Sequence, residues 1–308
     1  MTDNTVKKEN IIHIVDALDF LAHRRKQEAD HWSRVADDVM SSILTVEINT
    51  TELCNRTCIF CPRHDPDVYP NRNLHMTVQG ARQLANEMRA NKYQGKISFS
   101  GYSENLLNPN FTEIVEIFRI YLPEAVLECN TNGDPLDDQY ARNLMEAGLD
   151  MLYVNLYDGP EQAPHFEKML EPWRGRYKLR VHYGDFENHG LILNNRGGNI
   201  DWIKIDDTDI ESLRGKPCHY PFYKMFVDWN GDVLFCSNDW GREHVVGNLF
   251  QQSMQEVWFS KPMTKIRKKL MAGNRDFSPC NKCSVNGTLF GKPSFDKIKE
   301  HYESLNNR

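Results

Sequence analysis

Short apolar runs alternate with amphipathic segments through the first two thirds of the chain. The runs are rich in β-branched and aromatic residues and predict six strands, at 42–48, 96–100, 125–130, 151–156, 177–183 and 201–206. Apolar positions at helical spacing predict helices between several of them, at 77–91, 110–122 and 136–148. Strands interleaved with helices predict an α/β fold with a parallel sheet, either open or curled into a partial barrel.

The two ends of the chain have a different pattern. Helical spacing at 9–41 predicts one or two helices before the first strand. Beyond about residue 210, apolar residues alternate around Asn230-Gly231, which is typical of a type I′ hairpin. Ser253 and Glu256 then form a capping-box pattern before a helix that Gly273 would end. We therefore predict three regions: an N-terminal helical extension at 1–41, an α/β core at 42–210, and a small cysteine-bearing domain at 211–308.

Composition narrows the class of protein. The chain has 308 residues, 40% hydrophobic content and a net charge of −6, so we expect a packed core and no nucleic-acid partner. No apolar run reaches membrane length, and the N-terminus lacks the layout of a secretion signal. We therefore expect a cytoplasmic protein without a membrane partner. In that reducing compartment, clustered cysteines more often bind metal or do chemistry than form disulfides.

Cys54, Cys58 and Cys61 form a C-x3-C-x2-C cluster just after the first predicted strand. Functional residues of parallel α/β folds collect at such strand ends. Three thiolates can bind three irons of a [4Fe–4S] cluster and leave the fourth iron open. The alternative is a zinc site with His64 as the fourth ligand, because structural zinc takes four protein ligands. The spacing alone leaves both open.

The cluster resembles the signature of the radical S-adenosylmethionine (radical SAM) superfamily, C-x3-C-x-aromatic-C, with Phe60 at the aromatic position. SFSGYSENLLNP, at the end of the second strand, resembles the family's glycine-glycine-glutamate region, with Tyr102-Ser103 in place of the commoner small pair. The resemblance implies that Gly101 and Ser103 lie at the SAM site and that Glu104 holds the methionine ammonium.

ECNTNGDPL, after the third strand, resembles the family's ribose-side stretch and makes Asn130 and Asn132 candidate hydrogen-bond partners of SAM. The resemblance implies a partial (β/α)6 TIM-like barrel that binds SAM and a [4Fe–4S] cluster. It also implies reductive cleavage of SAM to a 5′-deoxyadenosyl radical, which abstracts a substrate hydrogen. An external electron donor such as flavodoxin or ferredoxin would supply the electron.

Cys218, Cys236, Cys280 and Cys283 form a second set, for which spacing alone favours zinc at least as much as iron–sulfur. The pattern C-x9–15-G-x4-C followed by C-x2-C resembles the SPASM/Twitch extension of radical SAM enzymes. Because no cysteine follows Cys283, it resembles the shorter Twitch form. This implies one auxiliary [4Fe–4S] cluster held by all four cysteines. We expect His219 to be exposed.

Four residues are candidates for contact with the substrate. Arg196, in LNNRGGN, resembles an arginine that points into the active site of SPASM/Twitch enzymes, and its alternative is a solvated surface turn. His182, Tyr183 and Asp185 follow the fifth predicted strand. Histidine and aspartate can accept a proton from a substrate hydroxyl near neutral pH.

Together these patterns predict a radical SAM oxidoreductase acting on a small polar molecule such as a sugar, aminocyclitol or nucleotide-sugar. The auxiliary cluster would accept the second electron of a dehydrogenation. One alternative is modification of a ribosomally made peptide, although the helical extension differs from the usual leader-binding domain, which also contains strands. An alternative of another class is a zinc-stabilised binding protein without catalysis, which leaves the region of Glu104 unexplained.

Overall fold

The computed structural model describes residues 11–12, 17–35, 38–67, 69–183, 194–200 and 211–306. Nine strands in this part of the chain form a single sheet in the order β1-β6-β5-β4-β3-β2-β7-β8-β9. The strands are β1 (Ile11–Ile12), β2 (Thr45–Ile48), β3 (Lys96–Phe99), β4 (Val126–Thr131), β5 (Met151–Leu156), β6 (Tyr177–Val181), β7 (Lys224–Val227), β8 (Asp232–Leu234) and β9 (Val245–Asn248).

The helices run between and after these strands. They are α1 (Ala17–Arg34), α2 (Val78–Ala90), α3 (Phe111–Tyr121), α4 (Asp138–Glu146), α5 (Gln162–Leu170), α6 (Tyr220–Tyr223), α7 (Met254–Trp258), α8 (Lys261–Met271) and α9 (Lys292–Asn306). The three helices predicted in the core are confirmed as α2, α3 and α4. Thr77 begins α2 by accepting a hydrogen bond from the Gly80 N–H at 3.0 Å, which satisfies one of the free N–H groups of a helix start.

Neighbouring strands from β1 to β7 are all parallel. Five of the six predicted strands are confirmed as β2 to β6, and the sixth, at 201–206, lies outside the described residues. The helix predicted from residue 9 onward is wrong at Ile11–Ile12, which forms β1 and pairs with Leu179 and Arg180 of β6. Two successive β-branched residues fit a sheet edge better than a helix start.

The sheet has an apolar outer face and a polar inner face, because successive side chains of a strand point to opposite sides. Phe99 on the outer face meets Phe111 and Phe118 of α3 edge-on, with ring centroids 5.2 and 5.5 Å apart. On the inner face, buried carboxylates pair with lysines of neighbouring strands: Glu47 with Lys224 at 2.5 Å, and Glu128 with Lys96 at 3.1 Å. The hydrophobic core therefore lies between sheet and helices, and the polar face is left for a site.

The second cysteine region continues the same sheet, because β7 pairs in parallel with β2 before turning into β8. The predicted two-residue type I′ turn is wrong. Asp228 donates its N–H to the Asp232 carbonyl at 2.8 Å, and Gly231 takes φ = 83° whereas Asn230 keeps a negative φ. Asn230 accepts a hydrogen bond from the Asp232 N–H through its side chain, which favours a three-residue loop with a left-handed glycine. The three predicted domain limits stay a prediction.

The predicted capping box is confirmed, with Ser253 and Glu256 each accepting a backbone hydrogen bond from the other. The single helix predicted after it is wrong, since α7 and α8 are separate. Ser260 begins α8 by accepting from the Met263 N–H, and Pro262 in the first turn cannot continue the preceding helix. Gly273, at φ = 72°, follows the end of α8 as predicted. No helix in the described ranges is long and apolar enough to cross a membrane.

Candidate active site

A cavity of about 1340 Å³ lies along the polar inner face of the sheet. It extends from the loops after the strand C-terminal ends to α1 at the other end of the strands. Most of the predicted site residues line it: Cys54, Cys58, Phe60, Cys61, Gly101, Ser103, Glu104, Asn130, Asn132, His182 and Arg196. Tyr183 does not line this cavity, and Asp185 lies outside the described residues.

The loop that carries the first cysteines is fixed by its own backbone and by Asn71. The Cys61 N–H donates to the Cys58 carbonyl at 2.9 Å. Asn71 closes the start of the loop, accepting from the Cys54 N–H at 2.9 Å and donating to the Cys54 carbonyl at 3.0 Å. His64, the alternative zinc ligand, donates from Nδ1 to the Cys61 carbonyl at 2.9 Å.

Arg56 joins this loop to the two neighbouring strand ends. Its guanidinium forms ion pairs with Asp134, after β4, at 2.5 Å and with Asp158, after β5, at 2.6 Å. It also lies over the ring of Tyr157, 4.8 Å from the centroid. Paired N–H groups that meet a carboxylate in a fork make geometrically specific contacts, so Arg56 fixes the cysteine loop against the loops after β4 and β5.

The chemistry of the three thiols fits a metal cluster. All are free cysteines. Burial, followed by the charges of neighbouring groups, raises the pKa of Cys54 to about 11 and that of Cys58 to about 12. Backbone N–H groups donate to the sulfurs of Cys54 and Cys61. Such thiols ionise at high cost alone, and a cationic metal centre removes that cost.

Glu104 is almost fully buried, at 2% exposure, between the cysteine loop and β4. Its oxygens accept three hydrogen bonds, from Asn132 N at 2.7 Å, Thr131 Oγ1 at 2.9 Å and Leu106 N at 3.1 Å. Burial raises the pKa of Glu104 to about 7, and no cationic side chain of the described residues pairs with it. A carboxylate accepts about four hydrogen bonds, so one position remains for an ammonium group.

The other candidate SAM residues are partly occupied by protein contacts. Asn132 accepts from the Asp134 N–H at 2.9 Å and donates to Asn55 Oδ1 in the cysteine loop at 2.8 Å. Ser103 donates to Asn49 Oδ1. Gly101 has φ = 136°, and a Cβ there would lie 3.1 Å from the Asn49 side chain. These residues shape the wall of the cavity, and direct contact with SAM stays a prediction.

Phe60, Tyr157 and His182 form an aromatic group beside the cysteine loop. Phe60 stacks on Tyr157 with centroids 6.2 Å apart, and His182 lies 5.8 Å from Phe60 and 5.1 Å from Tyr157. Burial, followed by the charges of Arg180 and Arg196, lowers the pKa of His182 to about 3. The imidazole is therefore neutral near pH 7 and a weak base, which disfavours the predicted role as a general base.

Arg196 lies between the two cysteine sets. Its guanidinium lies 4.9 Å from the centroid of the Trp240 ring and lines the cavity. Arg196 takes φ = 47°, which is uncommon for a non-glycine residue. The next residue, Gly197, donates its N–H to the sulfur of Cys283. A Cβ on Gly197 would lie 2.8 Å from the Asn238 carbonyl, so only glycine fits there.

The second cysteine set is enclosed by the C-terminal loops. Burial raises the pKa of all four thiols, with that of Cys218 reaching about 11, and mutual repulsion contributes at each except Cys283. Backbone N–H groups donate to the sulfurs of Cys218, Cys236 and Cys283. A Cβ on Gly287 would lie 2.2 Å from Cys218 Sγ. Four partly buried thiols, three of them with N–H donors, fit an iron–sulfur cluster.

His219 is buried, so its expected exposure is wrong. Its Nδ1 donates to the Phe290 carbonyl at 2.8 Å, and its ring packs on Phe295 at 4.7 Å. The histidine thus anchors the loop before α9. Among the described residues, no group of His, Cys, Asp and Glu side chains could hold a single metal ion. This result does not apply to a cluster, in which several irons separate the sulfurs.

Comparison with known proteins identifies the family. The model of the Radical SAM superfamily matches residues 48–181, and that of SPASM, an iron–sulfur cluster-binding domain, matches residues 218–284. The S-adenosyl-L-methionine-dependent 2-deoxy-scyllo-inosamine dehydrogenase of Niallia circulans is 30% identical over 252 residues, which cover 80% of this chain and 96% of that protein. The chain belongs to the radical SAM superfamily.

Solved radical SAM structures show the same architecture. The crystal structure of BtrN in complex with AdoMet and 2-DOIA is 25% identical, with a TM-score of 0.69, and covers 81% of this chain and 96% of that one. An open conformation of BtrN is 23% identical, with a TM-score of 0.59, over 79% of this chain and 92% of that one, and supports the fold alone. The predicted partial TIM-like barrel with a C-terminal SPASM-type domain is confirmed.

The family assignment also confirms the predicted cofactors and class of activity. The protein is a radical SAM oxidoreductase that uses SAM, a [4Fe–4S] cluster and auxiliary iron–sulfur chemistry in its SPASM domain. As a radical SAM enzyme it cleaves SAM and abstracts a hydrogen from its substrate. The alternative of a non-catalytic zinc protein is therefore wrong. Which residues hold each group stays a prediction.

Sequence reasoning missed several side chains that line the cavity. Arg180 lies in the interior of β6 and lines the cavity. The residues around it in sequence predict a strand and no functional site. Trp240 follows Cys236 by four residues and contacts both Arg196 and Tyr102. No motif marks either one. A charged residue in a strand whose flanking residues are apolar was the available signal for Arg180, since such residues face a polar interior.

Proposed function

We propose that this protein is a radical SAM dehydrogenase that oxidises a carbinol carbon of a small polar ring compound. A sugar, an aminocyclitol or a nucleotide-sugar would be the substrate, and one auxiliary cluster would accept the second electron. The activity of the relative from Niallia circulans supports this, because that protein is a 2-deoxy-scyllo-inosamine dehydrogenase and is 30% identical along most of the chain. The complex of BtrN with 2-DOIA supports it further.

One observation carries the proposal. Arg196 lines the cavity that also contains the first cysteine set, and the adjacent Gly197 donates its N–H to Cys283 of the second set. The cavity and the second cysteine set therefore meet at the segment Arg196-Gly197. A two-electron oxidation that begins with hydrogen abstraction must pass one further electron to an acceptor, and an auxiliary cluster at this set would be close to a substrate bound in the cavity.

Each residue set has a role in this proposal. Cys54, Cys58 and Cys61 would hold the SAM-binding cluster, and Glu104 would pair with the ammonium of SAM. Bound SAM and its cluster supply the hydrogen-abstracting radical chemistry. In this proposal the aromatic group around Phe60 would keep water away from the reacting atoms, which protects a radical from side reactions.

The electron donor and the compartment are also part of the proposal. An external one-electron donor such as flavodoxin or ferredoxin would reduce the SAM-binding cluster. The cytoplasm would suit the protein, because a reducing compartment keeps the seven cysteines of the two sets reduced and free of disulfides. Modification of a ribosomal peptide is the remaining alternative, and no contact among the described residues favours it.

Iron analysis and SAM cleavage test the proposal. Anaerobically purified protein should be brown and carry about eight irons, as two four-iron clusters require. Replacing Cys54, Cys58 and Cys61 by alanine should leave about four irons and abolish formation of 5′-deoxyadenosine, because only the auxiliary site remains. Cys129→Ala is the matched control, since Cys129 is buried in β4 outside both sets, and it should keep all the iron.

Product analysis tests the dehydrogenation. Incubation with 2-deoxy-scyllo-inosamine or a related polyol should yield one ketone for each 5′-deoxyadenosine. Zinc in place of iron in the purified protein would contradict the proposal. A product at the oxidation level of the substrate would contradict the dehydrogenation and leave the radical chemistry intact.

A further inference from the structure

Arg275 is a buried cation next to the second cysteine set. It follows α8 and is only 5% exposed. Its guanidinium donates to three backbone carbonyls, that of Val285 at 3.2 Å and those of Lys216 and Pro217 at 3.4 Å each. Within the described part of the chain it forms no ion pair. Carbonyl groups hold a guanidinium in place without cancelling its charge, so that charge still acts on its neighbours.

These contacts place the guanidinium at the segments that carry the cysteines. The Pro217 carbonyl belongs to the peptide bond that leads into Cys218, and the acceptor at 3.2 Å is two residues after Cys283. Arg275 also lines one small cavity together with Cys280 and Cys283. The side chain therefore borders the segments of three of the four cysteines in this set.

The other charged side chains around the set are solvated or satisfied by other contacts. Asp239, in the loop after the second cysteine of the set, is buried and accepts two backbone N–H groups, at 3.0 and 2.9 Å. Arg214 lines the same small cavity as Arg275, but its side chain is 57% exposed and pairs with Glu211 at 3.0 Å. Two further charged residues close to the cysteines are exposed: Asp276 and Lys282.

The acidity of the thiols agrees with this placement. Burial raises the pKa of Cys218 to about 11, and the charge of Arg275 opposes that rise. Burial also raises the pKa of Cys280 and of Cys283, and Arg275 opposes the rise at both. Arg196 acts on Cys283 as well, but it faces the large cavity. A group that favours a thiolate over a thiol favours negative charge at the set in general.

We propose that Arg275 raises the reduction potential of the auxiliary cluster and thereby favours its uptake of an electron. The inference rests on the proposed binding of that cluster by the second cysteine set. A cluster held by four thiolates is an anion, and one further electron makes it more negative, so a buried cation stabilises the reduced form most. In the proposed dehydrogenation, the substrate radical passes this electron to the cluster and its hydroxyl proton to solvent as it becomes the ketone.

A redox titration of the auxiliary cluster measures the effect. The parent variant has Cys54, Cys58 and Cys61 replaced by alanine and should hold about four irons. Stepwise reduction with dithionite and mediators, followed by electron paramagnetic resonance of the reduced cluster, gives the midpoint potential without turnover. Arg275→Gln should lower the equilibrium constant for reduction at least about tenfold, a shift of about 59 mV to more negative potential for one electron. A unit charge ~10 Å away at an effective dielectric constant of about 20 has an effect of this size.

Three further variants separate the charge of Arg275 from its carbonyl contacts. Arg275→Lys keeps the charge without the paired donors and should stay within about threefold of the parent. Arg214→Gln removes an equal charge from the same small cavity, but an exposed and paired one, so it should change the constant by less than about twofold. Asn281→Asp adds a carboxylate to that cavity and leaves the Arg275 contacts in place, and it should lower the constant about threefold or more.

The outcomes distinguish the inference from the function on which it rests. An unchanged or higher potential in iron-replete Arg275→Gln would overturn the inference, and so would an equal shift in Arg275→Lys. If Arg275→Gln does not retain its iron, an unchanged potential in Asn281→Asp would overturn it instead. A parent variant without iron would contradict the proposed cluster site and the inference together. Failure of the proposed dehydrogenation alone would show separately, as absent ketone formation by the wild type.

Discussion

The proposed pairing of Glu104 with SAM predicts a dependence of SAM affinity on pH that can be calculated. Without a cation nearby, burial places the pKa of its carboxyl at about 7. In this pairing, the ammonium of SAM binds the ionised carboxylate and not the neutral acid. Protonation of the free enzyme therefore competes with SAM, and affinity must fall as the pH decreases through 7. A rise in affinity on acidification would require SAM to prefer the neutral acid, which carries no charge to attract the ammonium cation.

The magnitude follows from the fraction ionised. Half of the carboxyl groups are charged at pH 7.0 and about a tenth at pH 6.0, so the Kd for SAM should rise about fivefold between them, or ~1 kcal/mol. Further acidification should approach a tenfold rise per pH unit. The ammonium itself stays protonated in this range, so it adds no slope.

Anaerobic equilibrium dialysis of SAM against reconstituted, unreduced enzyme measures the effect. Glu104→Gln should bind SAM at least about tenfold more weakly and show no slope, because it lacks the titrating charge. Thr131→Val is the matched control, since it removes one hydrogen bond to Glu104 and keeps the carboxylate. It should retain the slope. A flat profile in the wild type, with Glu104→Gln binding normally, would refute the pairing of Glu104 with SAM.

Three other expectations follow from contacts described above. Arg56→Gln removes both ion pairs of the cysteine loop and should lower the iron retained at the first cysteine set after desalting. Arg56→Lys keeps the charge without the paired N–H groups and should retain an intermediate amount of iron. Normal iron content in Arg56→Gln would show that these ion pairs do not hold the loop. In Gly287→Ala the new Cβ would overlap Cys218 Sγ, so this variant should lose the auxiliary iron and still cleave SAM. The control is Gly241→Ala, whose new Cβ would have its nearest neighbour at 3.5 Å and which should keep about eight irons. The pKa of about 3 for His182 lies below the value of about 6.5 in the unfolded chain, so the unfolded state takes up the proton first and the stability of the fold should fall by ~1.4 kcal/mol between pH 8 and 5.5. His182→Gln should lack this histidine limb in thermal stability, and a pH profile that is the same in both proteins would count against the buried, neutral imidazole.

The cysteines and the strand–helix alternation could be predicted from sequence because their information is local. Spacing within C-x3-C-x2-C is set by one loop, and the periods of strands and helices are set by neighbouring residues. Gly101 and Glu104 were found in the same way, at the end of β3. Such features depend on a few consecutive positions, so they can be predicted without knowledge of the rest of the fold.

Contacts between distant segments could not be predicted. Arg180 and Asn130 are 50 residues apart in sequence and meet only because β4, β5 and β6 are neighbours. The prediction that His219 is exposed was wrong because Phe290 and Phe295, far along the chain, pack against it and bury it. The predicted two-residue turn at Asn230 was wrong for a local reason. The Asn230 side chain accepts a hydrogen bond from the backbone, and this contact competes with the two-residue turn.

The pairing of β7 with β2 makes the C-terminal region mechanically inseparable from the barrel. Val46 and Ile48 lie in register with Met225 and Val227, so cutting the chain before β7 would expose the edge of β2 as a row of unpaired N–H and C=O groups. An isolated N-terminal fragment should therefore aggregate. The SPASM region should also not behave as an independently folding domain that can be exchanged between relatives. The second cysteine set is thus carried by loops of a sheet that it shares with the barrel.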